Sequence, residues 1–134
     1  MNDFEGDCWP GNSVWIDYFN ENGRDYYSGI YALNKFKGST NRYYAWNDMN
    51  EPSVFSEISK TMPTTAKHFK KDGTMFEHRE VHNAYGAAHQ RASYRGLLQR
   101  DAEEQLRPFV VTRSFFLGSQ KYGGYWTGDN YSVN

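Results

Sequence analysis

One short stretch concentrates the groups that could do chemistry. Trp46-Asn47-Asp48-Met49-Asn50-Glu51-Pro52-Ser53-Val54-Phe55 sets two carboxylates, Asp48 and Glu51, among two amides, Asn47 and Asn50. It follows Arg42-Tyr43-Tyr44-Ala45, an aromatic-rich run that with Trp46 suits a buried strand. Pro52 cannot donate to a ladder, so the strand must end before it. Polar groups packed at the end of an apolar strand are costly to hold in a core, and make better sense at the mouth of a site. Two further runs end in the same way. Arg107-Pro108-Phe109-Val110-Val111-Thr112-Arg113-Ser114 is apolar with a cationic end, and Lys121-Tyr122-Gly123-Gly124-Tyr125-Trp126 leads into Thr127-Gly128-Asp129-Asn130.

A different chemistry is open at His78-x-x-x-His82, which on a helix puts two imidazoles on one face at metal-ligand spacing. The zinc-protease pattern is His-Glu-x-x-His, and here the acid is Glu80, one place late. No third ligand has obvious spacing, although His89 lies two turns on. A helix interior or a hydrogen bond between elements is the preferred reading of these imidazoles, and no metal is expected.

The elements that must position these groups can be laid out in order. Pro10-Gly11 marks a turn. Residues 24–36 read as a helix with Tyr26, Ile30 and Leu33 on its core face. Strand 42–46 follows, and 56–76 reads as a solvated loop carrying Lys60, Lys67, Lys70 and Lys71. Residues 77–100 read as a second helix, with Val81, Tyr85, Ala88 and Ala92 on one face. Strands follow at 107–114 and 121–126, joined by the connector 115–120. Strand, helix, strand, connector, strand predicts βα units and a parallel sheet, with the polar clusters at the carboxyl ends of the strands. In a (β/α)8 barrel that end is the active face.

The stretch 46–55 resembles the nucleophile signature of glycoside hydrolase family 31, the α-glucosidase family, whose pattern is Trp-x-Asp-Met-Asn-Glu-Pro-Ser. Trp126-Thr127-Gly128-Asp129 is similar to the family's Trp-x-Gly-Asp motif. The resemblance implies an α/β fold, a partial (β/α)8 TIM barrel of roughly strands four to six with their helices, and retaining hydrolysis of α-glucosides. It implies that Asp48 is the nucleophile and Asp129 the general acid/base. It also implies that Trp9, Trp46, Met49, Phe55, Arg113 and Trp126 contact substrate, while Asn47, Asn50 and Glu51 support. Asp48 would stay ionised, with Asn47 and Asn50 as neighbouring donors, and Asp129 would hold its proton until needed. Each aromatic is also a plausible core residue, and Arg113 a structural partner of a carboxylate. Glu77-His78-Arg79-Glu80-Val81-His82-Asn83-Ala84-Tyr85-Gly86 is similar to the glucosidase II branch of the family. That likeness implies an N-glycan substrate, a noncatalytic β subunit as partner and the lumen of the endoplasmic reticulum. A lysosomal or secreted enzyme acting on maltose or glycogen is the alternative within the family, and an inactive sugar-binding product the alternative outside it. Family chemistry uses no cofactor.

The remaining bounds are few. A chain of 134 residues fits one domain at most. A complete barrel needs about 250 residues, so residues 1–134 are expected to be a fragment of one, inactive alone. The net charge of -1 gives no reason to expect nucleic acid or an anionic membrane as partner, and no apolar run could span a bilayer. Cys8 is the single cysteine and is expected to be a buried, inert thiol. Asn130-Tyr131-Ser132 is a glycosylation sequon expected to be buried beside Asp129 and unmodified.

Overall fold

The computed structural model describes residues 3–101, 103–104 and 106–130. Its centre is a parallel sheet of three short strands, β3 (Ala45–Asn47), β6 (Val110–Thr112) and β7 (Gly124–Tyr125), in the order β3-β6-β7. Ala45 pairs with Val110 and Asn47 with Thr112. Val110, Val111 and Thr112 are β-branched and favour the extended backbone. Two antiparallel hairpins flank this sheet, β1 (Glu5–Cys8) with β2 (Gly11–Val14), and β4 (Lys67–Phe69) with β5 (Met75–Glu77). Trp9 and Pro10 form the turn of the first hairpin, as Pro-Gly predicts. The second hairpin corrects the expectation of a wholly solvated loop at 56–76, because His68 within it is buried.

Helix α1 spans Glu21–Gly29 and begins earlier than predicted, because Asn20 caps it, its Oδ1 accepting from the N–H groups of Asn22 and Gly23. The predicted core stripe is off by one position: Tyr26 is 69% exposed and Ile30 41%, while Tyr31 is buried. Tyr27 and Tyr31 face α2 because that helix carries hydroxyl and imidazole partners for their phenols, supplied by Ser93 and His89. Helix α2 spans Tyr85–Gln99 and starts later than the predicted 77–100. Residues His78–Glu80 and His82–Ala84 form two 3-10 turns instead. A reciprocal cap holds the first: the Glu77 N–H donates to Glu80 Oε1 at 3.0 Å. Tyr85 and Ala92 are buried as predicted, and Val81 and Ala88 are half-buried.

Small residues on α2 let α1 approach. Gly96 lies where a Cβ would stand 2.6 Å from the Ser28 carbonyl and 2.6 Å from the Tyr31 ring, and Ser28 Oγ donates to the Ala92 carbonyl at 3.0 Å. Leu97 packs on the other side with Ala45 and Val110, joining helix to sheet. Gly123 does the same for the third strand, since a Cβ there would meet the Val110 carbonyl at 2.0 Å. Cys8 is half-buried rather than buried, because it sits at the end of an edge hairpin. Asn130 is exposed, against expectation, since it lies on the chain beyond the sheet; Tyr131 and Ser132 of the sequon lie outside the described residues. No helix among the described residues is long and apolar enough to cross a membrane.

Overpacking at the helix contact costs about 1–3 kcal/mol, so Gly96→Ala should lower the urea midpoint markedly. Gly29→Ala, where an added Cβ meets nothing within 4 Å, should leave the midpoint unchanged or slightly raised.

Candidate active site

Three strand ends converge on one guanidinium. Asp48 follows β3, Arg113 follows β6, and Asp129 lies four residues past β7, so all stand on the carboxyl side of a parallel sheet. Arg113 grips Glu51 through a two-pronged contact, Nε to Oε1 at 2.8 Å and Nη2 to Oε2 at 2.9 Å. Its Nη1 reaches Asp48 Oδ1 at 3.1 Å and Asp129 Oδ2 at 3.4 Å. Nη2 also lies 2.8 Å from the Met49 sulfur. The Glu51 hydrogen bonds, assisted by the charges of Glu51, Asp48 and Asp129, push the proton affinity of Arg113 further up, against its partial burial. One cation thus faces three carboxylates. A bidentate arginine–carboxylate pair fixes direction as well as charge, and its other nitrogen is thereby aimed at the two aspartates.

Backbone geometry helps present Asp48. Met49 has φ 56°, a left-handed conformation uncommon for a residue with a side chain and concentrated at functional sites. Its N–H donates to Asp48 Oδ1 at 2.9 Å, and its carbonyl accepts from Ser53 N–H at 2.9 Å. Asp48 therefore receives two donors and Asp129 the longer, single one. Asp129 has a side chain 94% exposed, Asp48 one 34% exposed.

The two asparagines point elsewhere than expected. Asn47 is buried and turned away from Asp48. Its Nδ2 lies 2.9 Å from Ser93 Oγ and 2.9 Å from His89 Nε2, both on α2. His89 Nε2 also meets the Tyr27 hydroxyl at 2.7 Å, and burial pushes the His89 pKa down to about 4. Alternation along β3 explains this: Asn47 shares the inward face with Ala45, and Trp46 faces out. Asn50 is also buried and bridges to the next strand end, Nδ2 donating to Thr112 Oγ1 at 2.7 Å and Oδ1 accepting from Ser114 N–H at 2.9 Å. The nearest donors to the Asp48 carboxylate are Met49 N–H and Arg113.

The aromatic candidates form two further groups. Trp46 and Trp126 pack at 5.6 Å between centroids on the outer face of the sheet, and with Tyr44, Phe109 and Val111 they line an open apolar recess. Trp9 meets Phe55 edge-on at 5.0 Å, and the Phe55 N–H donates to the Asp7 carbonyl at 2.7 Å, docking the first hairpin beside the loop. Trp9 is 78% exposed and Trp46 68%, so neither is a core residue of the described chain. The network of Tyr27, His89 and Ser93 behind Asn47 escaped sequence reasoning. Its visible signal was His89 and Ser93 one turn apart on a helix, facing an asparagine beside a carboxylate. His78 and His82 meet each other at 2.8 Å through Nε2 and Nδ1, and His78 Nδ1 meets His68 Nε2 at 2.9 Å, so both nitrogens of His78 are engaged by other imidazoles. Among the described residues no group of three or more His, Cys, Asp or Glu side chains is arranged to hold a metal ion.

Carboxylates on parallel strand ends around one arginine suit glycoside chemistry, and comparison with known proteins decides the family. The family model for the glycosyl hydrolases family 31 TIM-barrel domain matches residues 1–134. The chain belongs to glycosyl hydrolase family 31. It is 52% identical over 128 residues to neutral alpha-glucosidase C of Macaca fascicularis, covering 96% of this chain and 16% of that protein. It is 48% identical over 129 residues to neutral alpha-glucosidase AB of Dictyostelium discoideum, covering 96% of this chain and 13% of that protein. A solved structure of a glucosidase II alpha subunit with alpha3-Glc2 bound superposes with a TM-score of 0.88 at 48% identity, over 98% of this chain and 14% of that one. The catalytic subunit in a heterodimeric ER glucosidase II complex, solved with the binding domain of its regulatory subunit, gives 0.87 at 49% identity over 97% of this chain and 14% of that one. The chain thus spans a small part of the length of its relatives, which are alpha-glucosidases.

Asn50 joins two strand ends through buried hydrogen bonds. Its replacement by Ala strands the Ser114 N–H, while the Thr112 hydroxyl keeps its bond to the Ser114 carbonyl, and should cost about 2 kcal/mol of stability in chemical denaturation.

Proposed function

We propose that this chain is the part of a retaining α-glucosidase barrel that carries both catalytic carboxylates, with Asp48 as nucleophile and Asp129 as general acid/base. The observation that carries the reading is the nitrogen they share: Nη1 of Arg113 lies 3.1 Å from Asp48 and 3.4 Å from Asp129. Two carboxylates held by one nitrogen are near enough for the separation of about 5 Å that retention needs, and at the short end of what an inverting pair would span. Attack by Asp48 on the anomeric carbon would form a glycosyl ester as Asp129 gives its proton to the leaving oxygen. Water would then enter with Asp129 as base.

The local charge fits the same chemistry. With Asp129 protonated, one guanidinium still faces the two carboxylates of Asp48 and Glu51, so the cluster is anionic and favours a transition state in which the sugar ring becomes cationic. Arg113 already spends its fork on Glu51, and its part is to hold the aspartates in register. Met49 lies against it, and Trp46 with Trp126 would give the sugar an apolar wall, with Trp9 and Phe55 bordering the next subsite. In this reading 1–134 is one piece of the barrel, roughly strands four to six. The likeness to a glucosidase II alpha subunit solved with alpha3-Glc2 and with Glc1Man2 supports terminal α-linked glucose on an N-glycan as substrate. The likeness to the heterodimeric ER complex supports a noncatalytic regulatory subunit as partner and the endoplasmic reticulum as the compartment.

A mechanism-based α-glucoside reagent added to a lysate of the source organism should label the protein that carries this sequence, with the modification on the peptide containing Asp48. Recovery of this sequence unlabelled, while other α-glucosidases in the lysate react, would reject the nucleophile assignment. In the labelled enzyme, Asp129→Ala should lower kcat about 10²–10⁴-fold. The loss in the first step should shrink for substrates whose leaving group needs no proton, and added azide should give a glycosyl azide.

A further inference from the structure

Away from this site, four titratable groups form an unbroken hydrogen-bonded row. Asp17 Oδ1 lies 2.8 Å from His68 Nδ1, His68 Nε2 lies 2.9 Å from His78 Nδ1, and His78 Nε2 lies 2.8 Å from His82 Nδ1. They come from four places: the segment before α1, strand β4 and the two 3-10 turns. His68 and His78 are buried, 3% and 0% exposed, and His82 is half-buried. The second oxygen of Asp17 accepts from Phe69 N–H at 2.9 Å. Only one nitrogen of His82 has a partner among the described residues.

The donor order in this row is fixed by its end. An ionised carboxylate can only accept, so His68 must carry its hydrogen on Nδ1 and accept at Nε2. His78 must then donate from Nδ1 and accept at Nε2, and His82 must donate from Nδ1. The row has four hydrogen positions, three between groups and one at the outer nitrogen of His82. Three neutral imidazoles fill the three inner positions. A fourth proton fills the outer one, and every hydrogen bond survives. A fifth has nowhere to go: it would set two N–H groups face to face across 2.8 or 2.9 Å, or neutralise Asp17.

We propose that Asp17, His68, His78 and His82 form a one-proton relay that locks the β4–β5 hairpin to the segment before α1 and releases it when a second proton binds. A proton taken by His82 at Nε2 frees its Nδ1 proton to pass to His78 Nε2. The His78 Nδ1 proton then passes to His68 Nε2, and the positive charge comes to rest beside Asp17. Each hop forms one N–H bond and breaks one.

The groups packed around the row leave this arithmetic intact. Tyr85 of α2 lies against His68 and His78, its hydroxyl donating to the Ile16 carbonyl at 2.7 Å, and burial raises its pKa further, out of the range concerned. Phe19 and Phe76 cover His68 without titrating. Lys67, the chain neighbour of His68, pairs with Glu77, the chain neighbour of His78, at 2.6 Å, and Arg79 joins Glu77 at 2.6 Å. Burial, followed by the charges of His68 and His82, lowers the His78 pKa to about 4. Burial raises that of Asp17, but His68 and the Phe69 and Phe19 amides outweigh it and hold it below its usual value. Both signs agree. The unfolded chain binds more protons at His78 below its ordinary value of 6.5, so the lock is complete above that pH and weakens as pH falls towards 4.

The test is long-range ¹H–¹⁵N correlation of the histidine rings in the ¹⁵N-labelled protein. At pH 7.5 all three should be Nδ1–H tautomers, the minor form of free neutral imidazole. Asp17→Ala removes the acceptor that fixes the order, and should shift the row away from the Nδ1–H pattern towards Nε2–H as far as His82, three links away. His82→Gln should abolish the first proton uptake at His68. Amide exchange at Phe69 should lose protection about tenfold per pH unit once the second proton binds. Mixed tautomers in the native protein, three independent titrations, or a His82 ring indifferent to Asp17→Ala would each overturn the relay. The native tautomer pattern decides the matter even where a variant fails to fold.

Discussion

The structure depends on one cation held among three anions. Among the described residues, Arg113 alone links the ends of β3, β6 and the segment after β7 by charge. Coulomb attraction alone would not set the geometry, because a point charge lets its partners slide. The planar fork does, since two parallel bonds to Glu51 leave the remaining nitrogen a single direction. Partial burial strengthens the contact: the Arg113 side chain is 16% exposed, so water competes poorly for it.

That cluster needs a rigid floor, and the floor is polar. Asn47 and Asn50 are each 3% exposed, and a buried amide is costly unless its hydrogen bonds are made. The chain meets the cost through both polar atoms of Asn50 and through Nδ2 of Asn47, whose Oδ1 is buried without a partner among the described residues. Asn50 ties the loop after β3 to the strand end of β6, while Asn47 ties β3 to α2 through Ser93 and His89. The neutral imidazole of His89 suits this place, since a buried charge there would have no counterion in the network. The loop bearing Asp48 is thereby fixed from below and from the side, and the unusual backbone of Met49 is held by its surroundings.

Much of this was legible in the sequence, but unevenly. Strand ends followed by polar residues announced the sheet and the side on which the site lies, because apolar runs and chain-breaking residues are local signals. The family motifs announced Asp48 and Asp129. The partners of Asn47 were hidden, since a strand three residues long shows no alternation from which to read which side chain turns inward. Residues 77–84 read as helix because Val81 continues the spacing of α2. What overrides that spacing is the local cap of Glu77 with Glu80, joined by a contact of His78 with His68 on another element. The stripe on α1 failed for a similar reason: the buried face of that helix is chosen by the Ser93 and His89 partners that Tyr27 and Tyr31 find on α2, which apolar spacing alone does not show.

The parallel pairing of β3 with β6 also bears on how the chain acquires its form. Both hairpins close over a few residues, whereas Ala45 meets Val110 only after the whole intervening stretch has been gathered in. Loop closure over such a span is slow relative to hairpin formation. The carboxylate cluster sits on a contact between distant parts of the chain, so it cannot form before that stretch is gathered in. A chain halted midway would own its turns and its helices but no arginine between its aspartates.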